Sequence, residues 1–80
     1  MSPALQTALR LAAQYGLPFL AGRIAGGSPF AAAIVRALPD LILSVADSLL
    51  LEKVDPKDAE AHVVARLDHG LRERGLAEGA

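Results

Sequence analysis

His62, Arg66, His69 and Glu73 are the side chains best suited to chemistry, and at i, i+4, i+7 and i+11 they share one helical face. Two histidines on one face invite a metal assignment. A helical zinc pair wants ligands four apart, as in His-Glu-x-x-His, whereas these lie seven apart, about 10 Å along a helix axis. One ion does not readily take both. Asp58 with His62, or His69 with Glu73, has the i, i+4 spacing, but no third ligand is specified. The face is therefore assigned to solvent and local ion pairs, and no metal or other cofactor is expected.

Nucleophilic catalysis needs a hydroxyl, a base and an acid in one place. Ser44 or Ser48, His62 or His69 and several carboxylates could be drawn together on paper. No nucleophile elbow or glycine pattern for an oxyanion hole accompanies them, so no catalytic residues are assigned and the chain is read as a non-enzyme. The glycines of Leu17–Gly27 also fail the phosphate-loop spacing, and nothing before them reads as a strand. Nucleic acid is disfavoured as a partner, because the last helix mixes Arg66, Arg72 and Arg74 with Asp68 and Glu73 and so presents no basic face.

The elements that would position these groups are all helical. Phe30–Leu51 is the longest apolar run, with Leu38, Ile42, Val45 and Leu49 at helical spacing, Leu41 beside them, and Asp40, Ser44 and Asp47 on another face. Arg36, Asp40 and Asp47 oppose a transmembrane assignment, since each would cost roughly 2.5–3.5 kcal/mol at a bilayer centre. Pro39 predicts a break or kink within the run. Ser2 and Pro3 predict the cap and first turn of a helix near 3–15, with Leu5, Ala8, Leu9 and Ala12 on its apolar face and Gly16-Leu17-Pro18 as its stop. Gly22 and Gly26, four apart, fit close helix approach, but Gly26-Gly27 before Ser28-Pro29 is more simply a helix end followed by a new cap. Asp55-Pro56-x-Asp58 is the clearest start signal and predicts a helix running to about Arg74, with Val63, Val64, Leu67 and Leu71 as its seam, Gly75 as its stop and a frayed tail from Leu76 to Ala80.

The expected fold is all-α: four or five short helices, forming a small bundle or an extended helical assembly subunit. Eighty residues make one domain, divided into an apolar Ala/Gly/Leu-rich region over 1–54 and a charged helix and tail over 55–80. The net charge of −1 conceals a split: residues 1–39 carry three arginines and no acid, residues 40–80 nine acids and five bases. With no cysteine there is neither a disulfide framework nor a thiolate metal site.

A small unstapled core and many small apolar side chains point to a structural protein that buries its apolar N-terminal two-thirds against itself or a larger complex. The interaction surface expected from the pattern comprises Leu5, Leu9, Phe30, Ile34, Leu38, Ile42, Val45 and Leu49. The alternative is a membrane-active or membrane-anchored protein, whose composition is similar to that of phage lysis and virion components without sharing a motif with them. A small helical adaptor or inhibitor is a third expectation. The first nine residues carry no basic side chain, so no cleavable signal peptide is read and the chain is expected in the cytoplasm or at a membrane.

Overall fold

A computed structural model describes residues 2–77 as three helices: α1 (Pro3–Ala25), α2 (Ala31–Leu51) and α3 (Ala59–Glu73), the last preceded by a 3₁₀ turn at Pro56–Asp58. Each helix packs on the other two, α1 most extensively on α2. The long dimension of 37 Å is set by α1, whose 23 residues extend about 35 Å at 1.5 Å each. The all-α expectation holds, but there are three helices where four or five were expected, because two expected breaks do not occur.

The first absent break is at Gly16 and Pro18, through which α1 runs without ending. Pro18 has no N–H for the Gln14 carbonyl, but both residues face solvent, where water can take that acceptor. Gly16 is buried, and it marks a close approach of helices: a Cβ there would lie 3.0 Å from Ile42 Cδ1 and 3.1 Å from Leu67 Cδ1. Pro39 is the second case. It sits inside α2 on the exposed side, and the Val35 carbonyl that it leaves without a donor also belongs to an exposed residue.

The remaining boundaries follow local chemistry. Ser2 Oγ accepts from Leu5 N–H at 3.2 Å with Pro3 at the first helical position, and Asp55 Oδ1 accepts from Lys57 N–H at 3.1 Å ahead of α3. Between α1 and α2, Ser28 Oγ accepts from Phe30 N–H at 3.0 Å. The helix ends share a design in which the chain turns left-handed, at Gly27 (φ 73°), Lys53 (φ 50°) and Gly75 (φ 69°). After α2, Val54 N–H donates to Leu49 O and Lys53 N–H to Leu50 O, and after α3 the same pair runs from Leu76 to Leu71 and from Gly75 to Arg72. This is the Schellman closure. It corrects the frayed tail at its start: Leu76 and Ala77 pack against the core, while residues 78–80 lie outside the described residues.

The core is drawn from all three helices: Ala8, Ala12 and Leu20 from α1, Ile34, Leu41, Val45 and Leu49 from α2, and Val63, Leu67 and Leu71 from α3. The stripe expected to meet a partner is therefore turned inward. Ile34, Val45 and Leu49 are buried within the chain, Leu9, Phe30, Leu38 and Ile42 pack against the same core, and Leu5 is half-buried. Burying them against α1 and α3 removes apolar area from water without a second chain. Among the described residues, no helix is long and apolar enough to cross a membrane.

Candidate functional site

Ser48 and His62 meet where α2 faces the first turns of α3. Ser48 is only 5% exposed, and its Oγ lies 2.7 Å from His62 Nε2 and 2.9 Å from the Val45 carbonyl. Glu52 reaches the same nitrogen, with Oε2 at 3.9 Å. The capped turn at Asp55–Asp58 brings these residues together by folding α3 back on the last turns of α2.

The hydroxyl has one proton, so when it donates to Val45 O it must accept from Nε2–H. A general base needs the reverse: a ring nitrogen lone pair at the hydroxyl and an acid on the other nitrogen. Here carboxylate and hydroxyl converge on one nitrogen, and the hydroxyl is withdrawn from solvent. This is the geometry of a strut between α2 and α3, worth about 1 kcal/mol as a hydrogen bond.

His69 pairs with Glu73 at 2.6 Å on the exposed side of α3, as the i, i+4 spacing predicts. His62 turns to Ser48 and Glu52, away from the Asp58 pairing that the spacing also allowed. Arg66 lines an open cleft of about 520 Å³ with Asp40, Ser44, Asp47, Ser48 and Glu52. Asp68 is shared: Arg72 holds one oxygen at 3.0 Å, and Arg23 of α1 approaches the other at 3.8 Å while stacking on Phe19 at 4.9 Å. Among the described residues, no group of three or more His, Asp or Glu side chains is placed to hold a metal ion.

The surface feature with functional potential is apolar. Val35 is 53% exposed, Leu43 51%, Leu50 37% and Leu51 83%, all on α2. At 100° per residue, Val35, Pro39, Leu43 and Leu50 fall within an arc of about 80°, with Ala32 also inside it; buried Ala46 shares the arc and Leu50 lines a groove with Ala4, Ala8 and Leu11, so this is the exposed flank of α2 beside α1. Arg36 and Asp47 flank this stripe on one edge and Asp40 lies further round; Asp40, Leu43 and Asp47 all line the cleft that holds Arg66. Sequence reasoning passed over these residues because α2 is apolar on nearly every side. The available signal was the seven-residue interval from Leu43 to Leu50 on the side that also holds Arg36 and Asp47.

No family model, no curated protein and no solved structure matches the chain.

Proposed function

We propose that this protein is a non-enzymatic assembly module that meets a protein partner, a further copy of itself or a larger complex, through the outer face of α2. The observation that carries this reading is the exposure of Val35, Leu43 and Leu50 along one flank of a helix that also supplies the core through Ile34, Leu41, Val45, Ala46 and Leu49. Apolar residues scattered singly over a surface need no explanation, whereas a contiguous line of them is a feature of interaction surfaces. Relative to the sequence expectation, the contact surface moves from the inward stripe around Ile34 and Val45 to the outward one. Sedimentation equilibrium across the micromolar range tests the self-assembling form. Capture of a larger complex that is lost on Leu43→Glu tests the other. A compact monomer whose outer α2 face binds nothing would overturn both.

A lipid surface is the second reading. Leu51, the most exposed of the apolar side chains, stands two residues from Lys53, the pairing of apolar contact and positive charge that favours an anionic interface. The helix would lie on the bilayer without spanning it. Co-sedimentation with phosphatidylserine vesicles that persists at high salt and is lost on Leu51→Glu would favour this reading over the first.

A further inference from the structure

Resting on the assembly reading, we infer that the occupant of the outer α2 face is a second copy of this chain, packed antiparallel, with Arg36 of each copy against Asp47 of the other. Arg36 and Asp47 are eleven residues apart, so they lie on the same edge of the stripe, about 20° from one another and about 16 Å apart along the axis. Both are exposed, and among the described residues neither takes part in an ion pair. Two charges of opposite sign on one edge, at opposite ends of an apolar line, are a self-complementary pattern.

The symmetry decides the direction. A twofold axis perpendicular to two side-by-side antiparallel helices keeps each flank on its own side and reverses the height, so Arg36 of one copy meets Asp47 of the other, twice. A twofold axis parallel to the helices keeps the height and swaps the flanks, so Arg36 of one copy would lie level with Arg36 of the other on the opposite flank and would meet neither it nor Asp47. With the axis midway between positions 36 and 47, the two Leu43 side chains come within about one turn of each other at the centre. Leu50 of each copy then covers Ala32 and Val35 of the other, closing the ends. Asp40 lies further round the helix than Arg36 and Asp47, in the cleft with Arg66 that Leu43 and Asp47 also line.

A seam from Ala32 to Leu50 is about 27 Å long and one helix wide, less than the roughly 1,200 Å² of a standard stable interface, so the dimer is expected to dissociate in the micromolar range.

Sedimentation of the full chain tests the inference through charge reversal. Arg36→Asp turns both cross-pairs repulsive and is expected to weaken the dimer by about tenfold or more, and Asp47→Arg does the same. The double variant restores both pairs and recovers the dimer. An equimolar mixture of the two single variants also associates, because one copy then carries two acids and the other two arginines. The chain has no cysteine of its own, so Ala32→Cys and Leu50→Cys variants report direction: mixed, they cross-link to one another under oxidation, while Ala32→Cys alone does not. Circular dichroism confirms that each variant is folded. A wild-type dimer insensitive to both reversals, or cross-linking of Ala32→Cys to itself, would overturn the antiparallel register. If Leu43→Glu still dissociated that dimer, the assembly reading would survive. A wild-type monomer throughout the micromolar range would overturn this inference, leaving only binding to a different protein to support the assembly reading.

Discussion

Gly16 and Gly22 lie on the same helix and should respond oppositely to the same substitution. A Cβ at Gly22 meets nothing within 4 Å, so Gly22→Ala gains helix propensity and is expected to stabilise the protein by about 1 kcal/mol. At Gly16 the same gain is opposed by contacts at 3.0 Å to Ile42 and 3.1 Å to Leu67, with Val63 Cγ1 at 3.5 Å. Each of the two tight neighbours must give by a few tenths of an ångström, and overpacking of this kind in a filled core costs roughly 1–3 kcal/mol. Subtracting the propensity gain leaves Gly16→Ala destabilising by about 1 kcal/mol, so the two variants should differ by about 2 kcal/mol. In a domain of this size that is a separation of roughly 10 °C or more in Tm. Thermal and urea unfolding followed at 222 nm would measure it. Equal stabilisation by both substitutions would refute the three-helix crossing at Gly16.

Other substitutions examine the remaining joints. Ser48→Ala and His62→Ala should each destabilise, and a double-mutant cycle should give a coupling of about 1 kcal/mol, where zero coupling would remove the strut between α2 and α3. Leu67→Ala empties a fully buried site beside Gly16 and should cost about 2–5 kcal/mol in urea denaturation, a large share of the stability of an 80-residue chain. Asp55→Ala removes the acceptor for Lys57 N–H and should lower stability by about 1 kcal/mol, an effect that Asp55→Asn should largely avoid.

Local signals were legible where a backbone group and its satisfying side chain are close in sequence. Ser2-Pro3, Gly26 to Pro29, Asp55-Pro56 and Gly75 all mark real boundaries. Gly16, Pro18 and Pro39 were misleading because their meaning depends on which side of the helix faces the core. A glycine costs a helix about 1 kcal/mol and a proline about 3, amounts that tertiary packing of three long helices can override. The Ser48–His62 contact joins residues fourteen apart, and many serine, histidine and acid combinations in the sequence are equally eligible until the turn at Asp55 fixes the fold-back. The helical spacing of Leu38, Ile42, Val45 and Leu49 was legible in the central run, and that side packs into the core. What periodicity could not say was that the chain would cover them itself, leaving Val35, Leu43 and Leu50 as the unpartnered side.

Lys53 gives the fold an uneven pattern of local opening. The ends of α1 and α3 turn left-handed at glycines, but the end of α2 does so at a residue with a side chain, a conformation disfavoured for such residues by roughly 1–2 kcal/mol. That strain is relieved when the joint between α2 and α3 loosens. α3 packs less extensively on α1 and α2 than they pack on each other, so it is expected to peel away as a unit while α1 and α2 keep their mutual contacts. Its amides would then exchange with solvent through this partial opening, ahead of those at the α1–α2 interface, which wait for global unfolding.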